Sequence, residues 1–333
     1  MNVLELDDVR LGVPDRGGDR AILRGVSLSV APGEAIGLVG ESGSGKSMTL
    51  RTVLRTEPWG ARVTGRVMLE GEDVRRLGAA DLRRVRADAL AMISQDPRAA
   101  LNPLLRVSGF LVEGLCDARG GSRQPAVRRA RDLLSQVGIA DVDRCMDSYP
   151  HELSGGMLQR VVIAAAVASS PRLLLADEPT TALDVSTQSE VMAILDDQRR
   201  EHGMAMVFVT HDLELASAVC DRIAVLYAGE IVEIATPEQL HSSPRHPYTR
   251  LLLDSRPSLT TKAPMLPVIP GRPIAAYEVE DRCAFSGRCP WAAPQCVDGE
   301  VPLLHAAGRA VRCHRSDELA GELAHPTATE ATP

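Results

Sequence analysis

The octet Gly40-Glu41-Ser42-Gly43-Ser44-Gly45-Lys46-Ser47 matches G-x-x-x-x-G-K-[ST] at every fixed position, and it constrains the fold more than any other stretch of the chain. Ala35-Ile36-Gly37-Leu38-Val39 before it reads as a short apolar strand, and Met48-Thr49-Leu50-Arg51-Thr52-Val53-Leu54 after it reads as a helix. Strand, glycine-rich turn and helix in that order make a loop whose N–H groups point inward around a phosphate chain. The glycines let the backbone come close, and the helix N-terminus adds the positive end of its dipole. Lys46 is expected to reach the β- and γ-phosphates and Ser47 to ligate Mg²⁺. The candidate phosphate contacts are therefore Gly40, Glu41, Ser42, Gly43, Ser44, Gly45, Lys46, Ser47 and Met48. Composition supports Lys46: of 37 Lys and Arg residues only two, Lys46 and Lys262, are lysine. A chain that otherwise uses arginine keeps a compact ammonium where phosphate is to be held.

At 333 residues the chain has room for two domains, and 44% hydrophobic with 24% charged residues is ordinary for a soluble globular protein. The formal charge of −7 argues against general nucleic-acid binding. Met1 to Asp8 is acidic and lacks the basic region of a secretory signal, and the apolar run Val161 to Ala168 is far short of the roughly 20 residues of a spanning helix. A soluble chain is expected, one that can still dock on a membrane protein. Seven cysteines, an odd number, with no sign of export, favour reduced thiols or metal ligands over disulfides.

Along the chain, Val3 to Leu6 and Val26 to Val30 read as strands split by a turn at Pro14–Asp19, and Val63 to Glu70 as a hairpin element ending at Gly71. The arginines between Arg75 and Arg86 fit a solvated helix face. Leu90 to Ser94 reads as a buried strand ending at Gln95. From about 96 to 158 strand signals vanish and helices broken by Pro97, Pro103, Pro125 and Pro150 take over, as in a helical subdomain inserted into an α/β core. Ser154-Gly155-Gly156 opens a long helix and is a second possible anion site. The strand Leu173 to Ala176 then delivers Asp177 and Glu178 at its C-terminal end, and the strand Val207 to Thr210 delivers His211. Strands alternating with helices predict a doubly wound parallel sheet.

These motifs, in this order, resemble the nucleotide-binding subunit of an ATP-binding cassette (ABC) transporter over about residues 3–238. The resemblance implies an α/β P-loop cassette: a RecA-like core with an antiparallel β subdomain and an inserted helical subdomain, followed from 239 to 333 by a small cysteine-containing extension. Ser94-Gln95-Asp96-Pro97, Leu101-Asn102-Pro103, Ala176 to Val185 (including Ala182) and His246-Pro247-Tyr248-Thr249 are similar to ATPases of oligopeptide, dipeptide and nickel importers. Met157, where most cassettes carry Gln, looks like the D-type subunit of the pair such importers use. The activity implied is ATP hydrolysis coupled to import, with ATP and Mg²⁺ bound. Ser47, Gln95 and Asp177 are implied at the Mg²⁺, Asp177 through water. Glu178 polarises the attacking water, His211 contacts the γ-phosphate, and Gln95 senses both. Asp184 is implied among the nucleotide contacts, and Ser154, Gly155 and Gly156 reach the γ-phosphate held by a second ATPase subunit. The partners implied are that second ATPase, identical or not, two membrane permeases and an extracytoplasmic solute-binding protein, but no nucleic acid. The chain would lie peripherally on the cytoplasmic face of the cell membrane. Nickel or another small solute stays open beside peptides; an exporter ATPase or a non-transport cassette protein fits less well. One departure stands out: related cassettes stack adenine on an upstream aromatic residue, the position falls near Val13, and no Phe, Tyr or Trp precedes Trp59. Packing of adenine on aliphatic groups, or low affinity, with weakened base selectivity, is the expectation.

Beyond 239 the chain turns Pro-rich (Pro244, Pro247, Pro257, Pro264, Pro267, Pro270, Pro273), and Cys283-x5-Cys289-x6-Cys296-x16-Cys313 follows. Four thiolates suit an iron–sulfur cluster or structural zinc, though zinc ligands usually come as closer pairs. The resemblance implies a [4Fe–4S] cluster; zinc and unligated or disulfide-linked thiols remain alternatives. Cys116, Cys145 and Cys220 read as ordinary buried thiols, and the tail from about Ser316 as disordered.

Overall fold

In the computed structural model the strand leading into the phosphate loop, Ala35–Val39, is buried at all five residues. The structure describes residues 1–119, 122–181, 183–255, 267–306 and 308–324. Lys262, Ala182, Pro257, Pro264 and the tail beyond 324 lie outside them. The chain forms two compact units: Met1–Glu5 with Ser29–Ala35 and Met68–Val209, and Leu6–Leu28 with Ile36–Val67 and Thr210–Pro333. The extension therefore belongs to the same unit as the phosphate loop.

In that second unit Ile36 to Val39 pairs in parallel with Arg222 to Val225, on the strand Arg222–Tyr227. A tight turn at Ala228-Gly229 returns the chain as Glu230–Ala235, antiparallel, with a bulge between Ile231 and Glu233. Residues of the extension continue this sheet: Glu233 and Ile234 pair with Val311 and Ala310 on Arg309–Val311, which pairs in turn with Leu304–Ala306. A second sheet places Leu4–Asp15 between Gly18–Val30 and Arg62–Leu69. The first two strands run much longer than the apolar segments that announce them, because their solvent-facing residues are charged and only the alternate positions are buried.

In the first unit Leu90–Ile93, Leu173–Asp177 and Ala205–Thr210 form a parallel run in which Leu90 faces Leu173 and Asp177 faces Val209. The helical segment carries Val107–Arg119, Arg123–Gln136, Val142–Asp147 and Gly155–Val167. Arg123–Gln136 buries Ala126, Ala130, Leu133 and Leu134, the spacing of one helix face. Met68 and Leu69 close the expected hairpin on Asp73 and Glu72.

Two expectations need correction. Residues 316–324 are ordered: Leu319 and Leu323 are buried around the short helix Ala320–Leu323, so apolar anchors override a composition that otherwise suggests disorder. Cys116 is only partly buried, whereas Cys145 and Cys220 are buried. The strands at 222–235 have no counterpart in the sequence reading, although Ile223 to Tyr227 is an apolar run like those at 35–39 and 173–176.

Candidate nucleotide site

Two glycines of the phosphate loop are required by space as well as by conformation. A Cβ on Gly40 would lie 2.2 Å from the Leu226 carbonyl oxygen. Gly45, at φ 106°, would bring a Cβ within 2.8 Å of Leu23 Cδ2. Gly45 caps the helix Lys46–Leu54, and Thr49 Oγ1 donates back to its carbonyl at 3.1 Å. The Lys46 side chain is buried and folded into the loop, where Nζ donates to the Gly40 and Glu41 carbonyls at 2.8 and 3.0 Å. Ser44 Oγ is buried without a hydrogen-bond partner, a donor in want of an acceptor inside the loop. An ammonium, an orphan hydroxyl and a helix N-terminus in one loop fit a polyphosphate anion.

Glu41 fixes the loop from outside. Its N–H donates to Tyr248 Oη at 3.0 Å, and its carboxylate accepts both Arg288 Nη1 (2.7 Å) and Nη2 (3.2 Å). The Arg288 side chain is 6% exposed, and it also donates Nε to the Pro270 carbonyl at 2.7 Å. Tyr227, Tyr248 and Phe285 pack mutually behind it, with centroids 4.8 to 5.3 Å apart. Burial pushes the Tyr248 phenol well above its usual range, so it stays a neutral acceptor for the Glu41 N–H. None of these contacts is readable from the motif; their partners lie more than 200 residues away.

In the first unit Glu178 follows the buried Asp177 and takes a left-handed backbone, φ 46°, uncommon for a residue with a side chain. Its N–H donates to the Val209 carbonyl at 3.0 Å. Its Oε2 accepts Gln95 Nε2 at 3.1 Å and Thr181 Oγ1 at 2.9 Å. Gln95 and Glu178 are thus brought together, and Thr181, which sequence reasoning missed, holds the carboxylate from the other side. Ser154 Oγ caps its own helix by accepting the Met157 N–H at 3.3 Å. A Cβ on Gly156 would press on Thr187 Cγ2 at 2.8 Å. Asp184 caps Val185–His202, accepting both Thr187 N–H (3.0 Å) and Oγ1 (2.9 Å), and these bonds hold its carboxyl below the usual range. His211 follows the strand Ala205–Thr210, before the helix Leu213–Val219 that Asp212 caps.

Cys283, Cys289, Cys296 and Cys313 line one pocket together with Phe285 and Trp291. All are free thiols, and burial pushes Cys283, Cys289 and Cys313 up to about 11. Among the described residues no three His, Cys, Asp or Glu side chains are gathered as ligands of a single metal ion. Nor is any described helix long and apolar enough to cross a membrane.

A phosphate loop on a strand–helix junction, with a paired-carboxylate strand end and a serine-capped Ser-Gly-Gly helix, defines a nucleotide-hydrolysing cassette. The ABC transporter family model matches residues 23–181, and the model described as the oligopeptide/dipeptide transporter C-terminal region matches 232–296. The chain is 38% identical to the dipeptide transport ATP-binding protein DppD of Escherichia coli (strain K12) over 96% of its own length and 99% of that protein. It is 41% identical to the "Probable D,D-dipeptide transport ATP-binding protein DdpD" of the same organism, over 92% and 93% of the two chains. The solved ATP-binding cassette MJ0796, a dimer in a post-hydrolysis state with ADP and Pi, superposes with a TM-score of 0.64 at 30% identity, covering 70% of this chain and 98% of that one. The chain belongs to the ATP-binding subunits of ABC transporters. It is an ABC-type ATPase.

Proposed function

We propose that this ATPase energises import of short peptides, as a D-type subunit on the cytoplasmic face of the membrane beside a second ATPase, two permeases and an extracytoplasmic solute-binding protein. The observation that carries the reading is likeness to a dipeptide transport subunit across cassette and extension alike, over 96% of the chain. In this reading Gly40 to Met48 cradle the triphosphate, and Lys46 leaves its loop carbonyls to neutralise charge on the β- and γ-phosphates. Ser47 and Asp177 supply oxygen donors for Mg²⁺, with Gln95 nearby in role; the ion's chemistry is charge neutralisation on the phosphates. Glu178, braced by Gln95 and Thr181, orients the attacking water and accepts its proton, and His211 steadies the γ-phosphate. Ser154, Gly155 and Gly156 serve the nucleotide of the neighbouring subunit, with Asp184 among the nucleotide contacts, so that ATP draws the two ATPases together and hydrolysis lets them part.

Glu178→Gln is expected to lower hydrolysis by a factor on the order of 10² to 10⁴ while ATP binding persists and a dimer accumulates; wild-type turnover in that variant would overturn the role given to Glu178. For the solute, the ATPase reconstituted with its permeases and receptor should be stimulated by di- or oligopeptides. Stimulation by nickel alone would move the reading to metal import.

The finer reading of the extension is that the four cysteines hold a [4Fe–4S] cluster. Zinc bound by four thiolates would need sulfurs about 3.8 Å apart, given Zn–S bonds near 2.3 Å, and its ligands usually come as closer pairs in sequence than these. A cluster places its own iron and sulfide between the ligands and suits four thiols, two buried and two partly buried, around one apolar pocket. Its role would be to staple a segment with little core of its own. Protein purified without oxygen should contain iron and sulfide and absorb visible light; colourless, iron-free protein would sink this reading.

A further inference from the structure

A nucleotide gripped by residues 40–48 must rest its base on something beyond the loop, and residues 1–58 contain no Phe, Tyr or Trp. The extension reaches this neighbourhood. A Cβ on Gly45, at the end of the loop, would lie 3.3 Å from the Ile22 carbonyl oxygen and 3.6 Å from Gly229 Cα. Gly229 in turn abuts the extension, since a Cβ there would meet Ala276 Cβ at 2.9 Å. Arg24 locks the contact by donating to the Val279 carbonyl at 2.8 Å and to Glu230 at 3.0 Å. The turn Ala276–Glu278 is thereby pinned beside the loop, with Ala276 and Val279 buried and Glu278 accepting the Ala275 N–H at 2.9 Å. Between these anchors Tyr277 is 47% exposed, and the Arg20 guanidinium lies 4.1 Å from its ring centroid.

We propose that Tyr277, backed by Arg20, is the stacking platform for the adenine of ATP, an aromatic delivered to the nucleotide site from the far end of the chain. The inference rests on the nucleotide reading above. An exposed ring on a rigid turn loses little freedom when a base covers it, and the cation on the ring strengthens an aromatic stack. A stacking surface accepts any base with a π-face, so Tyr277 gives affinity without strong discrimination between adenine and guanine.

The test compares equilibrium binding of ATP and of inorganic tripolyphosphate to the full chain. Tyr277→Ala should weaken ATP roughly tenfold or more and leave tripolyphosphate unchanged, while Tyr277→Phe keeps both. Equal ATP affinity in the Ala variant, or equal losses for both ligands, overturns the assignment. A Tyr277→Trp variant gives a second readout: its added fluorescence, relative to wild type, should respond to ATP and not to tripolyphosphate, and silence toward ATP also overturns it. If ATP binding to the wild type does not depend on Lys46, the nucleotide reading itself fails and takes this inference with it. If it depends on Lys46 but not on Tyr277, only the platform falls.

Discussion

The phosphate loop and the cysteine-bearing extension share one compact unit but are held together by opposite means. The inside of the loop is closed by local bonds, Lys46 to carbonyls five and six residues back and Thr49 to one four back, while Glu41 carries its tie to Tyr248 and Arg288. The extension has little sheet of its own, and several of its carbonyls are met by arginine forks that it supplies itself. Arg312 donates to the Val301 carbonyl at 2.7 Å and reaches back to that of Ile231, on the strand Glu230–Ala235, at 3.0 Å; Arg250 donates to those of Leu323 and Ala324 at 2.8 Å each. Arg288 binds Pro270 and Glu41 together. Carbonyls that lack a strand partner still need donors, and one guanidinium offers five in a fixed plane. The scarcity of lysine thus has two causes: ammonium suits the phosphate, and guanidinium suits the irregular carbonyls.

The sharpest way to separate the regions is Lys46→Ala. Hydrolysis should fall at least about a hundredfold, the scale of losing one charge-stabilising donor. Alkylation of Cys283, Cys289 and Cys313 in the native, ligand-free protein should keep its wild-type rate. Faster alkylation would show that Lys46, and not Glu41 alone, holds the extension in place.

A smaller effect is expected from Arg288→Lys, which keeps the charge and removes the fork. Arg288 is buried and Glu41 partly so, which puts the pair between the surface and fully buried cases, and stability should drop by about 2 kcal/mol in urea denaturation. Because Glu41 belongs to the loop, KM for ATP should also rise several-fold, and removing both partners as Glu41→Gln with Arg288→Met should recover part of the lost stability. Unchanged KM in Arg288→Lys would mean that the extension does not set the loop's shape.

The same contrast explains what could be read before the fold was known. Gly40 through Ser47 is a local solution, so its pattern is written in consecutive residues. Asp177-Glu178 at a strand end and Ser154 at a helix start are local in the same sense. Gln95 bracing Glu178, Arg288 gripping Glu41, and Arg20 lying on the Tyr277 ring depend on which distant side chain the chain meets, and no spacing encodes that. The cysteine spacing was legible as a set, but its pocket is completed by Phe285 and Trp291, which carry no metal-binding pattern. Leu319 and Leu323 were hidden by a polar, Ala-rich context that outweighed two apolar anchors.

The mildest test falls on the seam between the two regions. His246 caps the helix Pro247–Asp254, its Nδ1 accepting the Tyr248 N–H at 3.0 Å, and Tyr248 is the residue that accepts from Glu41. The ring is 1% exposed, and burial, with a smaller push from Arg312, lowers its pKa to about 3 from 6.5. The unfolded chain therefore binds a proton that the folded chain refuses. The neutral ring's contribution is fully present above about pH 6.5 and is lost as pH falls toward 3, by at most about 1.4 kcal/mol per pH unit. Glu233, which accepts the His246 N–H at 3.0 Å, acts in the opposite sense, because burial raises its pKa and costs stability as pH rises. His246→Asn retains a capping side chain but cannot titrate, and Glu233 is common to both proteins. Subtracting the two urea-derived stability profiles between pH 7 and 4 isolates the histidine: the wild type should lose ground to the variant steadily below about pH 6.5, and parallel profiles would show that the ring is not held neutral at this seam.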